Sequence, residues 1–404
     1  MKKIILLMLT NLLLVNMGLA NENVASQDSI SSTIESLETA ENNLLKSEID
    51  LLIADLPNTL EVDEETAIIL KKLSFKKQEI GLFTYATFEN GILTISGSGY
   101  LSEEKKIILQ QIRHFVYAVK IEEGAKSIPE LSSMSNLRYV SIPSSIKKIP
   151  YGVFYNNKSL VKINIPDGVI EIASSVFSGC ESLEKIIIPN SVEKIGAYAF
   201  SSCYNLSNIK LPKNITILPK SIFSFCKSLR EIEIPQGVVT IGEDAFYNCT
   251  GMVKLYIPDS VTSIEEEAFE KMESLREVKM SENVVEIPEY AFKDCVSLNK
   301  IVFPASVKIL GKEALKGCDN LTVVELKTPE LVSIGKYCFE HSKNITSLIV
   351  HSKVVPKISN IFEKEKSSKE YYQRATLYVN KDVKKLFVNA ENWNKFSAIK
   401  EISE

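Results

Sequence analysis

Seven cysteines and three histidines are the residues of this sequence best suited to bind a metal, form disulfides or act as nucleophiles. The histidines, His114, His341 and His351, do not stand at a spacing typical of metal ligands. The sequence has no Cys-x-x-Cys pair, no His-Glu-x-x-His zinc motif, no Gly-Lys-Ser/Thr phosphate loop and no Gly-x-Ser-x-Gly nucleophile elbow. We therefore expect no metal, no cofactor and no enzymatic activity.

Two short motifs could suggest a binding site, but both have simpler explanations. Ser96-Gly97-Ser98-Gly99 is interpreted as the turn at the exit of a hairpin, because no clear helix start follows it as a phosphate loop requires. Glu265-Glu266-Glu267 could form a cation site. We interpret it as the solvated start of a helix, where acidic side chains interact favourably with the helix dipole.

Six of the cysteines recur every 23 residues, and Met272 takes the same phase between Cys249 and Cys295. Stacked coils would bring their Cα atoms to about 5 Å, within disulfide range. Equivalent side chains on stacked coils point in parallel, however, whereas bonded cysteines must converge to a Cβ separation of about 3.8 Å. We favour buried free thiols, with disulfides as the alternative. The six positions are Cys180, Cys203, Cys226, Cys249, Cys295 and Cys318.

The same 23-residue period runs through prolines and aromatic residues. Prolines recur from Pro143 to Pro258 and again at Pro304, and an aromatic residue follows eleven positions after each unit's proline position. We assign these aromatic residues, together with the cysteines, to a continuous core. The aromatic positions are Phe154, Phe177, Phe200, Phe223, Phe246, Phe269 and Phe292.

One unit shows how the repeat folds. Ile186 and Ile188 alternate with outward residues, which indicates a strand with one buried face, and Pro189 ends that strand because it has no N–H to donate. Ala199 and Phe200 then lead the chain back to the next unit. Since a lone unit cannot cover its own apolar side, neighbouring units must stack. The sequence predicts a solenoid of about nine to ten units, with short parallel strands and returns formed by turns or short helices.

The pattern Leu-x-x-Ile-x-Ile-Pro-x-x-Val-x-x-Ile-Gly-x-x-Ala-Phe-x-x-Cys resembles the BspA-like (Treponema pallidum-type) leucine-rich-repeat proteins over residues 137–350. The segment from Phe88 to Gly99 resembles the hairpin that precedes the repeats in such proteins, and Asn90-Gly91 is an independent hairpin signal. The resemblance implies an α/β leucine-rich-repeat solenoid. It also implies a surface protein that adheres to matrix proteins, host cells or other bacteria.

The chain is expected to contain five segments. Lys2-Lys3, an apolar stretch and small residues predict a signal peptide cleaved between Ala20 and Asn21. The segments are 1–20, the signal peptide; 21–80, a helical or flexible segment; 81–136, a β-hairpin and irregular cap; 137–350, the repeats; and 351–404, a C-terminal cap.

Residues 21–80 contain apolar side chains at helical spacing, interrupted by Glu41 and Glu48 at seam positions. These acidic residues argue against a long coiled coil. We expect a short amphipathic helix that packs on the first repeat, or a flexible stalk. The apolar positions are Ile30, Ile34, Leu37, Leu44 and Leu51.

Charge and hydropathy exclude two classes of partner. The net charge is −4 and no basic block occurs, so we expect no nucleic-acid binding. After residue 20 no stretch is apolar enough to span a bilayer, so we expect no membrane insertion beyond the signal peptide.

The strand residues that point outward vary from unit to unit, whereas the inward residues do not. This division is expected of a uniform scaffold that carries a variable binding surface. We predict a secreted or cell-surface binding protein, with the periplasm also possible, whose partner is an extracellular or envelope protein or glycan. The alternative is a structural scaffold or spacer of the envelope. The predicted ligand-binding residues are Tyr139, Lys162, Lys185, Ile187, Lys210, Glu233, Tyr256, Lys279 and Val302.

Overall fold

A computed structural model describes residues 27–101, 106–362 and 368–402. The predicted signal peptide and its cleavage site at Ala20 and Asn21 lie outside the described residues. Among the described residues, α-helices occur only on the two sides of the repeats. They are α1 (Gln27–Thr59), α2 (Glu64–Leu73), α3 (Lys106–Ile112), α4 (Ser368–Arg374) and α5 (Lys384–Asn389). Short 3-10 helices span Arg113–Phe115, Lys381–Val383 and Trp393–Lys395.

An antiparallel hairpin precedes the solenoid. Its strands, β1 (Phe75–Glu89) and β2 (Ile92–Leu101), meet at Asn90-Gly91, where both residues have positive φ. Ser96 to Gly99 lie inside β2, so the interpretation of this motif as an exit turn is wrong. The hairpin covers the first coil because β2 pairs in parallel with the next strand, Ala118–Ile121.

The strands that precede the prolines form the first sheet of the solenoid. Within each hydrogen-bonded run of strands, a residue pairs in parallel with the residue one coil later, as Lys185 does with Asn208. We call the outward surface of this sheet the strand face. Its strands are β3 (Ala118–Ile121), β4 (Tyr139–Ser141), β6 (Lys162–Ile163), β8 (Lys185–Ile187), β10 (Asn208–Lys210), β13 (Lys254–Tyr256), β15 (Glu277–Lys279), β17 (Lys300–Phe303), β19 (Val323–Leu326), β21 (Ser347–Val350), β23 (Thr376–Val379) and β24 (Ala398–Glu401).

The second apolar pair of each unit, such as Val192 and Ile195, leads into a second sheet, which the apolar spacing of the sequence did not predict. Its strands are only two residues long and follow the turn after each proline. They are β5 (Lys148–Ile149), β7 (Glu171–Ile172), β9 (Lys194–Ile195), β11 (Ile217–Leu218), β12 (Thr240–Ile241), β14 (Ser263–Ile264), β16 (Glu286–Ile287), β18 (Ile309–Leu310), β20 (Ser333–Ile334) and β22 (Lys357–Ile358). The result is a leucine-rich-repeat solenoid of about 13 stacked turns.

The segments that return the chain to the next coil are turns rather than short helices. Each full-length coil places two residues with left-handed backbone there, as at Asp244 (φ 57°) and Asn248 (φ 58°). N–H groups of each return segment donate to carbonyls of the next, as from Phe246 to Ala268 at 2.8 Å. Glu267 is left-handed too, so the interpretation of Glu265–Glu267 as a helix start is wrong. We call the outward surface formed by these return segments the return side.

The predicted aromatic ladder lies in the interior of the stack. All seven phenylalanines from Phe154 to Phe292 have no exposed surface, and neighbouring rings are stacked with centroids 5.1 to 6.0 Å apart. Burial of such a side chain contributes on the order of 1.5–3 kcal/mol. The coils are therefore held together by one continuous apolar column.

The cysteines are free and buried beside this column. Six of the thiols donate to a phenylalanine carbonyl 26 residues earlier, at Sγ···O distances between 3.1 and 3.3 Å. Burial raises the pKa of the Cys180 and Cys249 thiols to about 12, so the reactive thiolate is scarce in the folded protein.

Phe246→Asp is expected to destabilise the fold by more than about 3 kcal/mol, because it places a charge in the dry column and removes the ring contacts on both sides. Chemical denaturation followed by circular dichroism measures this change. Tyr198→Asp is the matched control: Tyr198 is partly exposed and left-handed, and Asp occupies the equivalent left-handed position in a later coil, at residue 244. Equal midpoints for Phe246→Asp and the unmodified protein would contradict the core assignment.

A maleimide reagent is expected to modify the cysteines slowly in the folded protein and to label most of the seven after denaturation without reductant. The reason is that all seven thiols are buried and unpaired in the structure. Intact-mass spectrometry counts the adducts. Recovery of a single labelled thiol in denaturant would show that disulfides link the coils instead.

Candidate ligand-binding face

The strand face has two parts, because α1 lies across its first coils. The helix contacts β3, β4 and β6 and buries Ile49, Ile53 and Leu56 there. These residues recur at spacings of three and four, which places them on one side of a helix. The N-terminal helix therefore crosses several coils rather than packing on the first repeat alone.

Polar contacts continue this attachment along the helix. Ser141 Oγ donates to Asp50 Oδ1 at 2.7 Å, and Lys162 Nζ lies 2.6 Å from Glu48 Oε1. One coil further, Lys185 Nζ lies 2.8 Å from Glu41 Oε1. Both seam glutamates are thus partners of the strand-face lysines.

The side of the helix that contacts the solenoid differs from the predicted one. Leu44 and Leu51, counted as seam residues from their spacing, are 55% and 71% exposed. The buried stripe instead contains Ile49, Ile53 and Leu56. The prediction that the side with Leu44 and Leu51 faces the solenoid was wrong, because α1 has apolar residues on two sides. Their spacing alone does not show which side packs against the solenoid.

Four of the predicted ligand-binding residues fall in the part that α1 occupies. Tyr139 and Lys162 are half-buried, and Lys185 pairs with the helix. Ile187 is only 3% exposed, so its prediction as an outward anchor is wrong. The inward–outward alternation of the strand placed the Ile187 side chain on the strand face, but alternation alone does not predict that this side chain is buried there.

The other predicted residues lie on the open part. Lys210, Glu233, Tyr256 and Lys279 are exposed, and Val302 is half-buried. Glu233, Tyr256 and Lys279 line a groove of about 600 Å³, which Asn208, Glu231 and Lys254 also line. Its apolar floor includes Ile209 and Ile232. The structure therefore brings the central members of the predicted set together.

The groove lies where the first sheet is interrupted. Within the described residues no strand is assigned at 231–233, between β10 and β13, although the second sheet continues there through β11, β12 and β14. The local sequence Glu231-Ile232-Glu233 gives a signal for this break, since glutamate has low strand propensity and the two charges lie on one side.

Tyr256 is held in place at the rim of the groove. Its hydroxyl donates to Glu277 Oε1 at 3.0 Å, and Lys254 Nζ lies 3.3 Å from Glu277 Oε2. The hydrogen bond from Tyr256, followed by the contact with Lys254, lowers the pKa of Glu277. The carboxylate therefore stays charged and orients an aromatic side chain that is 46% exposed.

The groove is lined by charged side chains of both signs. The described residues lining the groove include no histidine or cysteine; Glu231 and Glu233 line it from one coil, and Lys254 and Lys279 from the two coils that follow. Across the described ranges, no group of three or more His, Cys, Asp or Glu side chains is placed to hold a metal ion. Of the helices that the structure describes, none is both long and apolar enough to cross a membrane.

Comparison with known proteins identifies the repeat. The family model for the BspA type leucine-rich repeat region matches residues 130–253 and 239–369, in six copies. No curated protein matches the chain.

Solved structures of bacterial leucine-rich-repeat proteins are similar to this chain at low identity. The Treponema pallidum leucine-rich repeat protein is 24% identical, covering 61% of this chain and 91% of its own, with a TM-score of 0.37. A Eubacterium ventriosum leucine-rich repeat protein is 22% identical, covering 70% and 92%, with a TM-score of 0.45. A leucine-rich cell surface protein of Faecalibacterium prausnitzii is 21% identical, covering 73% and 97%, with a TM-score of 0.36.

The family match spans more than half of the sequence, and the stacked coils, the phenylalanine column and the proline-terminated strands all follow its repeat. The chain belongs to the BspA-type leucine-rich-repeat family.

Proposed function

We propose that this chain is an exported, non-catalytic binding protein that recognises an extracellular macromolecule through the open part of its strand face. The observation that carries the proposal is the groove between Asn208 and Lys279, with its oriented tyrosine and apolar floor. The predicted signal peptide supports export, and family membership supports a role at the cell surface.

Binding accounts for the groove better than catalysis does. A nucleophile needs a base within hydrogen-bonding reach, and all seven cysteines are buried in the core. The groove instead combines exposed charges of both signs with isoleucines below them. Interfaces between proteins have this composition, with a small apolar centre and a polar rim.

Tyr256 has the properties of an energetic anchor. Tyrosine is enriched among residues that dominate binding energy, and a side chain already fixed by Glu277 loses little entropy when a partner packs on it. Lys210 and Lys279 add charges to the open face. A polypeptide with acidic and apolar side chains fits this arrangement.

Tyr256→Ala is expected to weaken binding at least tenfold, about 1.4 kcal/mol, because it removes the anchor from the groove. The probe is a panel of immobilised extracellular matrix proteins, and biolayer interferometry with the full chain measures the dissociation constants. Lys279→Glu is expected to slow association with the same partner by reversing a charge on the rim.

Lys220→Glu is the control for charge reversal, since Lys220 lies outside the groove, has a side chain that is 40% exposed and pairs with Glu243 at 2.7 Å. Its binding should equal that of the unmodified chain. A partner whose affinity is unaffected by both Tyr256→Ala and Lys279→Glu would place recognition elsewhere. If no matrix protein or bacterial cell binds, the scaffold function becomes the better account.

A further inference from the structure

A second concave surface lies on the return side, near the N-terminal end of the solenoid. It is a depression of about 410 Å³ beside Tyr151 and Tyr155, which are 75% and 49% exposed. Glu130 and Ser132 of the capping coil form one wall, and Ser175 of the following coil lies on the other side. None of these residues belongs to the strand face.

The depression exists because the capping coil is two residues short. In the first sheet Val119 pairs with Val140, 21 residues later, whereas full-length coils pair at 23. In the return segment the usual register is restored. Leu131 N donates to Val153 O, 22 residues later in the sequence, and the equivalent bond of a later coil, from Phe246 to Ala268, has the same separation. The missing residues would have stood opposite Tyr151, and their absence leaves its coil uncovered.

Among the described coils, tyrosines occupy both positions only in the coil beside this gap, although Tyr247 stands at the position of Tyr155 four coils later. In the next three coils the position of Tyr151 is taken by small or basic residues, and that of Tyr155 by serine. The residues equivalent to Tyr151 are Ser174, Ala197 and Lys220, and those equivalent to Tyr155 are Ser178, Ser201 and Ser224. The repeat therefore does not require aromatic side chains here.

A smaller depression of about 100 Å³ adjoins the first and shares Glu130 and Ser132 with it. It adds Gln110 and Arg113 to the polar groups available. Together the two depressions offer carboxylate acceptors, guanidinium donors, and hydroxyl and amide groups that both donate and accept. Ser132 Oγ already donates to Glu130 Oε1 at 3.2 Å, which fixes one part of this wall.

We propose that these adjoining depressions bind an oligosaccharide. The C–H face of a pyranose ring packs against an aromatic ring, and its hydroxyl groups both donate and accept hydrogen bonds, as the walls require. One glutamate and one arginine balance each other, which favours uncharged sugars. Two depressions with a shared wall suit consecutive sugar units.

A proline-rich peptide is the other ligand that aromatic grooves commonly bind. A polyproline segment presents carbonyl acceptors but no N–H donors at its prolines. The acceptors on Glu130 would then gain no hydrogen bond from the ligand, whereas a sugar hydroxyl would supply one. The composition of the wall therefore favours the sugar.

The test uses the fluorescently labelled full chain on an array of neutral and sialylated oligosaccharides. We expect retention on neutral glycans, and a signal at least tenfold lower for the double variant Tyr151→Ala/Tyr155→Ala. Tyr155→Phe keeps the ring and should retain most binding. Tyr204→Ala is the matched tyrosine control, since Tyr204 is 37% exposed and lines neither the groove nor the depressions, and it should bind like the unmodified chain. All four proteins should unfold at similar denaturant concentrations, because these side chains are exposed.

Four results would overturn the proposal. One is an unmodified chain that retains no glycan above background, and another is retention unchanged in the double variant. The third is binding of a ten-residue polyproline peptide that is lost in the double variant while no glycan is retained. Loss of glycan binding with Tyr256→Ala alone would transfer the sugar to the strand face and thus also contradict it. The matrix-protein assay is read separately, so failure at one site leaves the other interpretable.

Discussion

The whole structure depends on successive coils that stack in the same phase. A phenylalanine shifted by one residue would leave the column and enter the turn, since each ring is covered by the ring before it and the ring after it. A single coil has no other apolar surface against which to bury this side chain. The phase is therefore fixed by the column, while backbone pairing in the two sheets fixes the spacing of the coils.

This constraint decides where the chain tolerates a change of length. An extra residue occurs between β19 and β20: Lys300 pairs with Val323 at 23 residues, but Ile309 pairs with Ser333 at 24. The insertion lies in the turn that joins the two sheets, where Thr328 is buried and its hydroxyl accepts from Glu330 N. The two-residue deletion of the capping coil likewise lies between paired segments. Both departures from the period thus lie outside the phenylalanine column and leave its phase unchanged.

The repeat and its core were predictable from the sequence because both are periodic. Inward positions repeat in type, so Phe246 and Cys249 could be placed without knowing any long-range contact. The attachment of α1 to the strand face could not, because it depends on contacts between residues up to 144 positions apart, such as Glu41 and Lys185. The groove beside Tyr256 required knowing that residues 231–233 leave the ladder, which a weak local propensity hinted at but did not determine.

The attachment of α1 changes in character along its length, and this affects what a ligand meets. Toward β3 and β4 the helix is held by buried aliphatic residues, whereas its furthest described contact with the strand face, Lys185 with Glu41, is an ion pair with both side chains about half exposed. Exposed ion pairs contribute only about 0–1 kcal/mol. The boundary between the covered and open parts of the strand face is therefore its most weakly held point. A partner seated in the groove would reach this boundary first, and an extension of its interface toward β8 would compete with the ion pair between Lys185 and Glu41.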